Sequence, residues 1–471
     1  MSPTLDFRLA LRNLLRNRRR SITTLLALIV GVCAILLFGG YSKDITYGLQ
    51  TDFVQRSGHL QIQRQGYFLR GSGNSSAYGI PDYDALIARV RQDPQLAPML
   101  VVVTPTLQLG GIAGNFPAGI SRTVMVHGMQ AQEQSRMRLW NDYGFPVQPK
   151  PVALAGTPEN AIVVGQGVAR VLHLCEALKV PDCDDGEAAP AAAASAPGGE
   201  TPDDIAALTQ LEAAAAPQAA AGGTQIEILA ASTHGAPNVG SFNVASAELQ
   251  GVKELDDVHV AMHLPRAQRL VYGSERPQVT AILVQLKHTS QMPAAQARLR
   301  ELLDASPGGR QLEILDFATL NPFYEQTNRM FGAIFGFVFV LIGVIVLFIV
   351  SNTMSMSIVE RTIEIGTLRA IGTRRAGIQG LFLCEGLLLG LAGAALGVLV
   401  ALAVGWVINR SGLTWMPPAR VDAVPLTVRV WGEWAQIAGA FAGLVLVAAV
   451  SAWLPARRAA RMHIVDALRH A

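Results

Sequence analysis

The chain has 471 residues, of which 50% are hydrophobic and only 15% charged, and its net charge is +3. Mean hydropathy is positive, at +0.31. The small basic excess clusters beside apolar runs and lacks interleaved aromatics, which suggests anionic lipid and argues against nucleic acid as a partner.

In chain order the first element is Leu5–Arg20. Phe7, Leu11 and Leu14 share one helical face, and Arg8, Arg12, Arg16 and Arg19 share another. Residues 1–20 are therefore expected to form an interfacial amphipathic helix, or a plain basic flank. Four uncharged apolar runs follow at Ser21–Tyr41, Met330–Val350, Gly386–Ile408 and Trp434–Leu454. Each is about the ~20 residues that a helix needs to cross a bilayer. The first run is longer than the roughly 7–15 apolar residues of a signal peptide and has no clear A-x-A site after it, so it reads as an uncleaved anchor.

The expected fold is an integral membrane α-helical protein with four transmembrane helices in a one-plus-three arrangement. A large α+β domain of two lobes lies between the first and second. The boundaries expected are transmembrane helices at 21–41, 328–352, 378–408 and 434–454, a soluble domain at 42–327, loops at 353–377 and 409–433, and a tail at 455–471. Arg residues crowd the N-terminus (Arg8, Arg12, Arg16, Arg18, Arg19, Arg20), the 353–377 loop (Arg361, Arg369, Arg374, Arg375) and the tail (Arg457, Arg458, Arg461, Arg469). Basic residues stay on the cytoplasmic side. Both termini and the 353–377 loop are thus expected inside, and the large domain outside, in the periplasm.

Within 42–327, His59–Gln63 alternates like a half-buried strand. Met99–Thr104, Thr123–His127 and Gln278–Leu286 also read as strands. Asp82–Gln92 and Pro293–Leu303 carry helical spacing. Both chain ends of the domain are expected in one lobe, with the middle as the other. Residues 184–223 run through AAPAAAASAPGGE and AAAAPQAAAGG and lack core-forming side chains, so they read as a low-complexity insertion. Cys175 and Cys183 lie eight residues apart and are either a disulfide or two free thiols. Cys33 and Cys384 read as small packing residues.

No G-x-x-x-x-G-K-[ST], H-E-x-x-H or G-x-S-x-G sequence is present, and the outer-domain histidines are scattered. The chain is expected to be non-enzymatic, with no metal or cofactor of its own. Glu385 is the one ionisable acid well inside an apolar run, placed near the membrane interface, so four nearly non-polar spans do not make a hydrophilic channel. Gly386, Gly390, Gly393 and Gly397 form two GxxxG pairs, and Gly332 with Gly336 forms another. Such pairs serve either dimerisation or packing within one bundle.

The 353–377 loop is expected to hold a short charged helix, with Ile358, Ile365 and Leu368 on one face and Glu360 and Glu364 spaced i,i+4. It is either a solvated juxtamembrane helix or a docking element. VERTIEIGTLRAIGTRR closely resembles the motif of the FtsX/MacB/LolC-LolE permease superfamily of ABC transporters. LFLCEGLLLGLAGAALG at Leu381–Gly397 resembles that family's third span. Pro455, Ala456, Ala459, Ala467, Leu468 and Arg469 match its C-terminal tail, whereas Ile464 stands where a second proline is usual.

The resemblance implies a permease working as a dimer, with a second copy or a paralogue. ATP would be bound by a separate pair of ABC ATPase subunits. Glu360, Arg361, Glu364, Gly366, Arg369 and Gly372 would map onto the coupling segment, with Glu360 and Glu364 meeting basic residues of the ATPase. Location in a bacterial inner membrane is implied. SGHLQIQRQGYF and AIVVGQGVARVL resemble the lipoprotein-releasing branch, so the cargo or carrier would be a periplasmic lipoprotein system. A MacB-like efflux permease or an FtsX-like activator of a cell-wall hydrolase are the alternatives.

Overall fold

The structure, a computed structural model, describes residues 9–10, 12–14, 16, 18–71, 74–145, 150–180, 224–306, 308–416 and 423–462. The low-complexity insertion at 184–223, Cys183, Phe7, Arg8, Leu11 and the tail residues Ile464, Ala467, Leu468 and Arg469 fall outside the described residues. The longer helices are α1 (Arg18–Ser57), α2 (Tyr83–Gln92), α3 (Leu264–Tyr272), α4 (Met292–Asp304), α5 (Pro322–Glu360), α6 (Thr362–Ala370), α7 (Arg375–Arg410) and α8 (Trp434–Arg461). Contacts divide the chain into two compact units: a helical one made of residues 1–49, 323–415 and 424–471, and a sheet-rich one made of 50–322 and 416–423.

In the helical unit, α1, α5, α7 and α8 are each long and apolar enough to cross a membrane. Their ends run past the runs visible in the sequence. Polar turns continue the helix at little cost, since backbone hydrogen bonds do not depend on side-chain polarity. The buried core joins Leu28, Val32, Ile35 and Leu36 of α1, Val346, Val350 and Met354 of α5, Leu389 and Ala394 of α7, and Leu444 and Ala448 of α8. Small residues set the closest approaches. A Cβ on Gly386 would stand 2.4 Å from the Ala452 Cβ, and one on Gly390 2.9 Å from the Ala448 Cβ. Cβ atoms on Gly393 and Gly397 would stand 2.5 Å and 2.6 Å from the Cβ atoms of Leu28 and Val32. These four glycines of α7 are thus used inside one bundle. Gly332 and Gly336 of α5 have nothing within 4 Å of a Cβ position.

The sheet-rich unit carries β1 (Leu60–Arg64), β2 (Leu100–Asn115), β3 (Ile120–Met129), β4 (Ala161–Gly165), β5 (Gln225–Ala231), β6 (Pro237–Glu248), β7 (His259–His263), β8 (Ala281–Leu286) and β9 (Leu312–Asp316). They form one nine-stranded sheet in the order β3-β7-β4-β6-β5-β2-β8-β1-β9, and β3 also pairs with β2. That extra pairing closes β2, β3, β7, β4, β6 and β5 into a ring, while β8, β1 and β9 extend it from one side.

The expectation of two lobes is corrected by this topology. β2 pairs through its first half, from Leu100 to Thr106, with β8, and through its second half with β3 and β5. A single 16-residue strand therefore belongs to both parts. One core, from Leu60 through Leu107 and Val164 to Ile314, runs through the whole unit. The expected grouping of the chain ends does appear as a local feature, since β1 pairs with both β8 and β9.

Candidate coupling site

Charged side chains of the helical unit converge where α5 gives way to α6. Arg361 separates the two helices at φ −108° and ψ 20°. The hydroxyl of Thr362 donates back to the carbonyls of Ile358 and Val359, at 3.1 Å and 2.8 Å, in competition with the helical ladder. Helix α6 then ends in a paired cap: the Gly372 N–H donates to Arg369 O at 3.1 Å, and the Thr373 N–H to Leu368 O at 3.0 Å. This arrangement needs a left-handed residue after the helix, and Gly372 supplies it with φ +101°. Ile358, Ile365, Ile378 and Phe382 bury the apolar face of this corner against Ala456, Ala459 and Ala460 of α8, with Leu368 packed beside them. The face expected from Ile358, Ile365 and Leu368 is therefore the packed one.

The polar contacts tie α6 and the end of α5 to three other segments. Arg361 is buried, and its Nη1 donates to Glu385 Oε1 of α7 at 2.9 Å. Asn13 Nδ2 donates to the same oxygen at 2.7 Å, and Arg361 Nη2 donates to the Asn13 carbonyl at 3.3 Å. Closer to solvent, Arg20 pairs with Glu360 through two hydrogen bonds of 2.9 Å and 2.5 Å. Arg16 pairs with Glu364 at 2.6 Å. Arg369 donates to the carbonyls of Ala460 and Met462 at 3.3 Å and 2.6 Å, filling acceptors left open at the end of α8. Gly366 is buried in the middle of α6.

The six sequence-designated residues are thus brought together, but their company is new. Asn13, Arg16 and Arg20 lie more than three hundred residues from their carboxylate partners, with no local signal for the pairing. Glu385 carried a clue: a carboxylate inside an apolar span needs a cation or donors beside it. What the local sequence did not give is its burial. Its side chain is only 3% exposed and sits in an ion pair.

Among the described residues, no group of three or more histidines, cysteines or carboxylates is arranged to hold a metal ion. In the sheet-rich unit Cys175 is buried and disulfide-bonded, while Cys33 and Cys384 are not in disulfides. His59 is fully buried; its Nδ1 accepts from the Leu286 N–H at 3.0 Å, and its Nε2 lies 3.3 Å from the Thr289 hydroxyl. Burial, opposed in part by the Asp142 carboxylate, pushes its pKa down to about 4. It is a neutral structural histidine.

Residues 334–464, which enclose most of this corner, match the FtsX-like permease C-terminal family. Through this region the chain is similar to permeases of the FtsX/MacB/LolC superfamily. It is 30% identical over 193 residues to the macrolide export ATP-binding/permease protein MacB of Escherichia coli, covering 41% of this chain and 28% of that protein. An uncharacterised ABC transporter permease of Methanocaldococcus jannaschii is 27% identical over 236 residues, covering 48% of this chain and 55% of the relative. The MacB of Bordetella avium is 27% identical over 213 residues, 45% of this chain and 30% of its own length. The chain therefore spans about a quarter to a half of the length of these curated relatives.

Proposed function

We propose that this chain is the non-catalytic permease subunit of an ABC transporter in a bacterial inner membrane. In this reading a separate ATPase dimer binds and hydrolyses ATP. Its movement reaches the sheet-rich domain, on the periplasmic side, through the spans. The observation that carries the proposal is α6, a short helix fixed by charged contacts to the ends of other spans within the region matching the permease family. A helix held in this way passes a push on to those spans without an aqueous path through the bilayer. The Arg excess at 1–20, 353–377 and 455–471 supports cytoplasmic termini and a cytoplasmic α6.

Glu360, Arg361, Glu364, Gly366, Arg369 and Gly372 form the coupling segment. Glu360 and Glu364 are the exposed anionic groups that basic residues of the ATPase meet, exchanging with Arg20 and Arg16. A second permease copy or a paralogue packs on α5. That helix has 11% of its most apolar window buried, against 39%, 33% and 28% for the other spans, and its Gly332–Gly336 face is open. Membrane lipids cover the remainder.

The cargo on this reading is a lipoprotein released from the membrane to a periplasmic carrier, supported by the resemblance of the segments after the first span and at Ala161–Leu172. A second reading, an efflux permease working with a periplasmic adaptor, is favoured by the similarity to proteins named for macrolide export.

Affinity purification from native membranes in mild detergent, followed by mass spectrometry, tests the core of the proposal. An ABC ATPase is expected with the chain, and its absence would refute the reading. A co-purifying lipoprotein carrier supports release, whereas an adaptor supports efflux. In reconstituted membranes, Glu360→Lys with Glu364→Lys should leave the chain inserted but abolish ATP-dependent lipoprotein release. Full activity in that double variant would remove the docking role of the two carboxylates.

A further inference from the structure

Three segments meet on one buried carboxylate oxygen. Glu385 Oε1 receives Asn13 Nδ2 at 2.7 Å and Arg361 Nη1 at 2.9 Å, and Arg361 reaches on to the Asn13 carbonyl. The side chains of Arg361 and Glu385 are 6% and 3% exposed. The ring of contacts is closed: each member touches the other two.

Burying an ion pair is a poor way to gain stability, because desolvation of both charges offsets their attraction. Its best-attested use is to fix one arrangement over others, since any arrangement that parts the charges leaves one of them buried and unpaired. The location fits that use. Arg361 is the residue at which α5 ends and α6 begins. Free rotation at such a break would let α6 swing without moving the spans. A small space of about 20 Å³, lined by Asn13, Arg361, Glu385, Ser357 and Thr353 among others, lies beside the cluster. The contacts of Arg20 with Glu360 and of Arg16 with Glu364 are more exposed. They are correspondingly weaker and exchangeable.

We propose that Asn13, Arg361 and Glu385 form a buried pin that makes the segment before α1, the α5–α6 junction and α7 move as one body. These are positioning residues; the Arg361 and Glu385 side chains are buried away from solvent. The exposed pairs are the parts a partner can displace, while the pin keeps the displaced helix connected to its spans. This inference rests on the reading of α6 as the coupling helix.

The experiment uses the full chain with its co-purified ATPase in lipid nanodiscs. Cys33→Ala and Cys384→Ala are introduced, and spin labels are placed at Thr367→Cys in α6 and Leu399→Cys in α7. Electron-spin distance distributions are recorded without nucleotide and with trapped ATP. With the pin intact, one narrow distribution is expected in both states. Glu385→Gln and Asn13→Ala should each broaden it, with the amount of co-purified ATPase unchanged. The exchange Arg361→Glu with Glu385→Arg should narrow it again, because the pair is restored with reversed polarity. An unbroadened distribution in Glu385→Gln and Asn13→Ala, with ATPase still bound, overturns the pin. Should Glu385→Gln fail to insert, Asn13→Ala alone decides, since it leaves the ion pair in place. Absence of ATPase from the unaltered chain counts instead against the proposed function.

Discussion

Asp256 shows how much one side chain can organise. Its carboxylate is buried and accepts the backbone N–H groups of Gln166 at 3.0 Å, Gly167 at 2.8 Å and Gln250 at 3.1 Å. The Gly165–Gln166–Gly167 turn can approach only because it lacks side chains at two positions. A Cβ on Gly165 would stand 2.1 Å from Asp256 O, and one on Gly167 2.1 Å from Asp257 Oδ1. Asp256→Ala strands three donors, two of them buried, and an unsatisfied buried donor costs about 1–3 kcal/mol. A loss of roughly 3 kcal/mol or more is expected, read as a lower unfolding midpoint of the purified chain in denaturant. His59 makes a second residue-scale prediction. Its folded pKa of about 4 lies below its ordinary value of 6.5, so between these values the unfolded chain holds the extra proton. Stability from this group is complete above about pH 6.5 and falls as pH drops towards 4, by up to about 3 kcal/mol at 1.36 kcal/mol per pKa unit. The protection factor of the Leu286 amide, whose N–H donates to His59, should fall as pH drops across that window and stay constant above it.

Among the elements, the two sets of glycines separate packing from association. Those of α7 meet Ala452, Ala448, Leu28 and Val32 within one chain, while Gly332 and Gly336 of α5 meet nothing. Gly393→Val is expected to overpack the α1–α7 contact and to destabilise the folded chain by about 1–3 kcal/mol. Fluorescence-detected size exclusion after heating would register this as a lower midpoint. Gly332→Val with Gly336→Val should leave that midpoint unchanged and reduce self-association in a cross-linking assay. The reverse outcome would assign dimerisation to α7.

Across the whole molecule, the distribution of Arg makes a topological statement. In a background with Cys33→Ala and Cys384→Ala, Thr367→Cys in α6 and Ser241→Cys in β6 are both exposed. A membrane-impermeant maleimide added to intact spheroplasts should label Ser241→Cys and spare Thr367→Cys until the membrane is broken. Labelling of Thr367→Cys in intact cells would invert the orientation and remove α6 from reach of an ATPase.

Hydrophobicity along the chain was enough to find the four long apolar helices, because ~20 apolar residues satisfy a bilayer with no help from distant sequence. Strands at Leu60–Arg64 and Ile120–Met129 and helices at Tyr83–Gln92 and Met292–Asp304 were legible for a similar reason, since period-two and helical spacing are local properties. The Thr362–Ala370 element was legible as a charged helix between two apolar helices, and the family likeness supplied the coupling role proposed for it. What the local pattern could not carry was partnership. That β2 closes a ring and joins two expected lobes depends on pairings up to Leu286 and Ala230. That Arg361 belongs to Glu385 and Asn13, and that Arg16 and Arg20 already hold the exposed carboxylates, depends on which helix ends meet. Sequence determined which segments are apolar enough to meet a membrane, because hydropathy is a property of each segment alone. Only the tertiary structure decided which charges are spent inside the chain, because an ion pair is a property of two segments and of the space between them.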